Sequence, residues 1–286
     1  MKKSLLFTIL LTGILLSACT GSAHPGEFSY TVNGENTEVY LLNTNTDKLL
    51  NLTNNAYDDW WGSWSPDGKR MVFASSRGGN FDLYILDVEK EEIARLIDNP
   101  ADDGWPAWSP DGKTIVFSSN RDNDYDIFRI NADGTNLANL TNNPANDGLP
   151  AWSPDNKKIA FASDRDGNWE IYVMNADGIA PENITNSSGG DLMPAWSPDG
   201  KKLAFSSGRD GDTEIFIYDF KTKQTTQITQ NDAADEFPAW SPDGKTLLFV
   251  SQQGGKWDVY RMNADGTGQD NLTNDDLQEM YPVWRP

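Results

Sequence analysis

Gly104-Trp105-Pro106-Ala107-Trp108-Ser109-Pro110-Asp111-Gly112 leads into the alternating run Thr114-Ile115-Val116-Phe117-Ser118-Ser119, and this pairing decides the fold. It reads as strand, turn, strand. Pro110 presets the first corner, Asp111 bonds the local chain, and Gly112 takes the left-handed conformation of a short hairpin loop. One copy of the motif carries Asn156 in place of the glycine, and asparagine is the next most tolerant residue of that conformation. A polar turn at 120–125 then precedes a third strand at 126–130. A second turn, Asn131-Ala132-Asp133-Gly134, precedes a fourth at 137–141.

Working outward, Trp64, Trp108, Trp152, Trp196, Trp240 and Trp284 stand 44 residues apart without slippage, each with a proline two positions on. Four short strands in about 40 to 45 residues match one propeller blade, whereas solenoid repeats of that length need helical periodicity. No apolar stripe of helical period appears after position 26, so the expected class is all-β. A unit this small cannot bury its own apolar faces and must stack on neighbours.

The chain ends predict how the ring closes. Residues 38–55 align without gaps on 126–143, and 28–32 fit the strand before them, so the front of the chain supplies three strands of a blade lacking its first. The tail Tyr281-Pro282-Val283-Trp284 is a lone first strand. Together they make a sixth four-stranded blade and leave no open sheet edge. The expected organisation is a leader at 1–18, a tether at 19–26 and a six-bladed propeller at 27–286.

Lys2 and Lys3 precede an apolar run at 5–16 that is short for a membrane span, and Leu16-Ser17-Ala18-Cys19 follows. The tetrapeptide resembles the lipobox of bacterial lipoproteins, which implies export and a lipid anchor on Cys19. An ordinary signal peptide cleaved nearby is the alternative. Cys19 is the one cysteine, so no intrachain disulfide forms. A formal charge of −20 disfavours nucleic acid as a partner.

The repeated Pro-Ala-Trp-Ser-Pro-Asp-Gly-Lys, then Phe-x-Ser-x-Arg-Asp-Gly, then Asp/Glu-Ile-Tyr/Phe and Asn-Ala-Asp-Gly, resembles the WD40-like repeat of TolB-type propellers. Residues 194–201 and 205–211 are a close match, and the resemblance covers 27–286. It implies a β-propeller and leaves function open, because such blades serve many roles. TolB itself carries an additional N-terminal domain that works with the Tol-Pal envelope machinery. This chain passes from tether to strands, so the expectation is a TolB-like lipoprotein distinct from TolB.

The one histidine, His24, lies in the tether, which excludes Ser-His-Asp and Cys-His catalysis and His-rich metal sites within the repeats. No catalytic residue is assigned. The candidate site is a column of acids five residues before each marker tryptophan: Asp59, Asp103, Asp147, Asp191, Asp235 and Glu279. The pseudo-sixfold axis would place them around one mouth of the central channel, where mutual repulsion raises their pKa values unless cations answer them. Two answers stand open. Each acid pairs with an arginine of the turn between second and third strands, Arg77, Arg121, Arg165 or Arg209, or the acids hold a cation such as Ca²⁺ or a partner's basic group. Gln253 and Asn33 occupy the arginine position in the last two blades, which makes Asp235 and Glu279 the candidate metal or ligand sector.

Two positions beyond each acid stand Trp61, Trp105, Leu149, Met193, Phe237 and Tyr281, suited to ligand stacking at a rim or to packing between blades. Trp60 breaks the repeat pattern, and Trp169 and Trp257 either form an exposed patch or cover neighbouring blades. Asp122-x-Asp124-x-Asp126 lacks the glycine and distal glutamate of a calcium loop. The Asn-x-Thr triplets at Asn51, Asn139, Asn183 and Asn271 read as fourth-strand sequence. The expected role is a monomeric, non-catalytic binding or scaffold protein of the bacterial cell envelope, on the periplasmic or cell-surface side. Its partner would be an envelope protein, peptide or glycan. A carboxylate-dependent glycan hydrolase or lyase is the alternative.

Overall fold

The computed structural model describes residues 26–286. The expected leader, Cys19 and His24 lie outside the described residues. The front of the chain forms β1 (Glu27–Asn33), β2 (Thr37–Asn43) and β3 (Lys48–Asn51). Blade 1 follows as β4 (Asp59–Trp64), β5 (Arg70–Ser75), β6 (Asp82–Asp87) and β7 (Glu92–Arg95). Blade 2 is β8 (Asp103–Trp108), β9 (Thr114–Ser119), β10 (Asp126–Asn131) and β11 (Ala138–Asn139). Blade 3 is β12 (Asp147–Trp152), β13 (Lys158–Ser163), β14 (Glu170–Asn175) and β15 (Glu182–Asn183). Blade 4 is β16 (Asp191–Trp196), β17 (Lys202–Ser207), β18 (Glu214–Asp219) and β19 (Gln224–Gln227). Blade 5 is β20 (Asp235–Trp240), β21 (Thr246–Ser251), β22 (Asp258–Asn263) and β23 (Asp270–Asn271), and the last strand is β24 (Glu279–Trp284).

These strands form six four-stranded antiparallel sheets, and blade 6 has the order β24-β1-β2-β3. Phe28 pairs with Trp284 and Val32 with Glu279, so the two ends of the chain close the ring as expected. Arg285 reinforces the closure: its Nη1 lies 2.8 Å from Glu27 Oε2, and its Nε donates to the carbonyl of Gly68 in the adjoining blade.

The Pro-Asp-Gly turns take the conformation their residues dictate. Gly112 has φ 71°, and Asn156 adopts 60° at the equivalent corner. The second strand of each blade is the most buried element, and its phenylalanines Phe73, Phe117, Phe161, Phe205 and Phe249 are fully enclosed. Apolar clusters bridge neighbours: Val72, Ala74 and Leu83 of blade 1 pack with Trp108, Ile115 and Phe117 of blade 2. The marker tryptophans also reach across, since Trp196 Nε1 donates to the carbonyl of Ala151 and Trp284 Nε1 to that of Ala239, both at 3.2 Å. Stability therefore lies in contacts between wedges, as expected of units that cannot stand alone. The fourth strands are shorter than the sequence suggests in blades 2, 3 and 5. There Asn139, Asn183 and Asn271 turn the chain instead, each accepting two backbone N–H groups with its side-chain oxygen.

Candidate binding site at the channel mouth

Each innermost strand carries a bulge at its entrance. In blade 1 the register shifts between Trp60 and Ser63, so that two residues face one on β5. The residue at the shift is left-handed in every blade: Trp61 (φ 58°), Trp105 (47°), Leu149 (57°), Met193 (57°), Phe237 (55°) and Tyr281 (55°). For bulky side chains this conformation costs about 1–2 kcal/mol each. The repeated strain has one visible result, because the bulge turns all six side chains into a shared central cavity of about 310 Å³. Prolines and small residues of the same strands line the rest.

The cavity is sided. Trp61 stacks on Trp105 at 4.3 Å, Tyr281 meets Trp61 edge-on at 6.1 Å, and Phe237 meets Tyr281 at 4.3 Å, which makes a continuous aromatic arc. Trp60 flanks it, 5.9 Å from Tyr281. Leu149 and Met193 supply the opposite, aliphatic side. The indole N–H of Trp105 is buried without an acceptor, a donor that a bound carbonyl or hydroxyl would satisfy, whereas that of Trp61 faces the Tyr281 hydroxyl. Trp169 and Trp257 pack against the inter-blade clusters, the second of the two placements the sequence allows.

The six acids lie at the same end of the strands but below the rim. Asp59, Asp103, Asp147, Asp191 and Asp235 are fully buried and Glu279 nearly so. Their carboxyls do not line the cavity, whose wall is apolar. Four of them pair with the turn arginines: Arg77–Asp59 at 3.0 Å, Arg121–Asp103 at 2.7 Å, Arg165–Asp147 at 2.8 Å and Arg209–Asp191 at 3.0 Å. Each guanidinium also lies over two aromatic rings of its blade, for example Phe205 at 5.3 Å and Phe216 at 4.6 Å for Arg209.

In blades 5 and 6 the pattern breaks. Asp235 receives an amide hydrogen from Asn231 at 2.7 Å, and Glu279 receives the Thr273 hydroxyl at 3.0 Å. Asp235 Oδ1 and Glu279 Oε1 have no partner of hydrogen-bonding geometry, although the Ser251 hydroxyl and the Glu214 carboxyl stand near Asp235 and the Asp275 carboxyl near Glu279. Burial, with the charge of Asp275 next in effect, pushes Glu279 up to about 8. Burial raises Asp235 as well.

A second acidic column opens the third strands: Glu38, Asp82, Asp126, Glu170, Glu214 and Asp258, all buried. Its signal was present in the repeated Asp/Glu-Ile-Tyr/Phe, which reads first as strand sequence. These acids tie each blade to the segment entering the next. The Asn231 N–H donates to Glu214 at 2.7 Å while its side chain reaches Asp235. Burial raises Glu214 to about 7.

Ca²⁺ takes six to eight oxygen ligands. Among the described residues no group of three or more acids, histidines or cysteines is arranged to hold a metal. With an apolar wall as well, the channel does not fit Ca²⁺.

The fold and its cavity define a closed six-bladed β-propeller with a shaped apolar mouth. The family profile of the TolB beta propeller domain matches residues 22–139, 103–191 and 179–286, and the chain belongs to that family. Among solved structures, TolB from Acinetobacter baumannii is 21% identical with a TM-score of 0.80, over 91% of this chain and 67% of that one. A putative TolB from Agrobacterium tumefaciens is 24% identical with a TM-score of 0.73, over 86% of this chain and 88% of that one. An oligogalacturonate lyase in complex with manganese is 18% identical with a TM-score of 0.65, over 88% of this chain and 75% of that one. At these identities the likeness is one of fold. No curated protein matches the chain significantly.

Proposed function

We propose that this protein is a non-catalytic binding propeller of the bacterial cell envelope that takes a protein, peptide or glycan at the channel mouth. One observation carries the reading: six bulky side chains are held in a costly left-handed conformation, and what they share is the cavity they line. Strain repeated in this way is the mark of a surface built to be presented. The aromatic arc from Phe237 to Trp105, with the unsatisfied indole donor of Trp105, supplies stacking area and a directional contact. The lipobox-like Leu16-Ser17-Ala18-Cys19 and membership of the TolB propeller family support export and a lipid-anchored placement at the envelope.

A carboxylate-dependent hydrolase or lyase would need two carboxyls flanking an open substrate cleft. Of the carboxyls with raised pKa values, Asp103, Asp126, Glu214, Asp235 and Glu279 are enclosed within the blades, and Glu236 is half-buried next to Phe237; none of them lines the cavity, so no pair of carboxyls flanks it. The test is hydrogen exchange on the protein bound to material captured from bacterial envelope extract. Protection confined to the rim, and loss of capture in a Trp60→Ala, Tyr281→Ala variant that melts normally, is expected. Capture undiminished in that variant would end the proposal.

A further inference from the structure

Resting on the reading that this face binds a partner, the structure also points to what part of the partner it takes. In blades 1 to 4 a single slot recurs, with a buried acid at its base, two aromatic rings as its wall and the blade's own arginine inside. The guanidinium carbon lies 5.3–5.5 Å from the second-strand ring and 4.5–4.9 Å from the third-strand ring. The arginine side chains keep 17–22% exposure, so these slots open at the protein surface.

Blades 5 and 6 retain the acid and the rings and lack the arginine. Phe249 and Tyr260 lie 5.6 Å apart at 35°, and Tyr30 and Tyr40 lie 6.3 Å apart at 21°. The filled blades hold their ring pairs at 5.7–6.1 Å and 25–32°, so the wall keeps its form whether or not a guanidinium is present. At the base, Asp235 and Glu279 each bury one oxygen without a partner of hydrogen-bonding geometry, and a second carboxyl stands beside each, Glu214 by Asp235 and Asp275 by Glu279, with no cation among the described residues to answer them. Neither residue at the arginine position enters the slot. Gln253 is exposed and donates to Gln269 at 3.3 Å. In blade 6 the position falls on Gly34 and not on Asn33, because the Asn33 N–H bonds the Gln278 carbonyl just as the N–H of Asn120, one residue before Arg121, bonds that of Asp102, and a glycine has no side chain to fill the slot. The two slots lie in adjoining blades, and Glu236, next to Asp235 and near Tyr281, is the one charged residue in the column of Trp60, Gly104, Gly148, Leu192 and Met280. Phe237 and Tyr281, two residues beyond the unpaired acids, extend the sector to the rim.

We propose that blades 5 and 6 form a receptor site for arginine side chains of a protein or peptide partner. The ligand chemistry is copied from the chain's own four occupied slots. A planar guanidinium satisfies a carboxylate with directed N–H groups while its face lies on the rings, and a compact, strongly hydrated ammonium does this less well. A metal ion would find too few oxygens there.

The experiment uses the full propeller and three peptides, Gly-Arg-Gly, Gly-Lys-Gly and Gly-citrulline-Gly, followed by amide chemical shifts. Saturable shifts with the arginine peptide at the turns bearing Gly34 and Gln253 are expected, with affinity about tenfold weaker for lysine and no saturation for neutral citrulline. A Gln253→Arg, Gly34→Arg variant should fill its own slots and abolish the response, whereas Gln253→Ala should retain it. Equal binding of citrulline, or an unchanged response in the double arginine variant, would overturn the site. Envelope capture through Trp60 and Tyr281 that persists despite such a failure would leave the channel-mouth reading standing, so the two proposals fail separately.

Discussion

Gln253 turns its side-chain amide outward to Gln269 and makes no hydrogen bond to Asp235, whereas Arg209 in the preceding blade places Nη2 3.0 Å from Asp191. The two positions are equivalent by the repeat, so the difference isolates what the arginine contributes. Gln253→Arg should complete the pair with Asp235, give its carboxyl a cation beside Glu214 and lay the guanidinium over Phe249 and Tyr260. The expected gain is about 1.5–3 kcal/mol, typical of a hydrogen bond to a charged group. Chemical denaturation at neutral pH measures it, and a loss of stability would show that blade 5 cannot seat an arginine.

Stability should fall as pH rises from mildly acidic to mildly alkaline. Glu279, with Asp275 and Asp258 around it, titrates near 8, and Glu214, beside Asp235, near 7. In both the folded pKa is raised above that of the unfolded chain, so the folded protein holds protons that the unfolded chain has released. The associated stability is complete below the ordinary glutamate pKa and is lost as pH passes through about 7 and then 8. Glu279→Gln, which keeps the shape of the protonated acid, should flatten the upper part of the decline. Melting curves between pH 5 and 9 decide this, and a variant profile parallel to that of the wild type would contradict it.

Arg165 tests the occupied slots. It lies 2.8 Å from Asp147 Oδ1, and Asn143 donates to the same carboxylate from the other side. Arg165→Met leaves a fully buried carboxylate without its cation, which costs about 3–5 kcal/mol. Adding Asp147→Asn removes the charge and should recover part of that loss. A double variant no more stable than Arg165→Met would mean that packing of the guanidinium on Phe161 and Tyr172, and not charge, supplies the effect.

The fold was legible because its decisive residues act locally. Pro110, Asp111 and Gly112 define a turn by their own backbone limits, and the spacing of the tryptophans counts the blades. The four arginine partners and the absence at Gln253 were legible too, whereas the blade 6 position, Gly34, reads as its neighbour Asn33 because the turn there is one residue shorter. The bulge was not. Trp105, Leu149, Met193, Phe237 and Tyr281 each precede a proline, which steers the preceding residue toward extended backbone, yet all are left-handed. Ring packing around the axis overrides the local preference. Burial of the acids was equally hidden, because a periodic acid gives its angular position and not its depth.

The closing strand offers the last prediction. β24 gives blade 6 its inner strand and brings Tyr281 to the aromatic arc, Glu279 to its slot and Arg285 to Glu27. A chain ending at Gln278 would leave the inner edge of β1 with unpaired N–H and C=O groups facing the channel, an edge that invites pairing with other chains. It would also expose Phe28, which is fully buried and meets Trp284 at 6.0 Å. The truncated protein should therefore unfold over a broader, lower temperature range and self-associate in a concentration-dependent way. Calorimetry paired with sedimentation velocity measures both. A monomer melting as sharply as the parent would mean that the other five blades hold the ring closed without the latch.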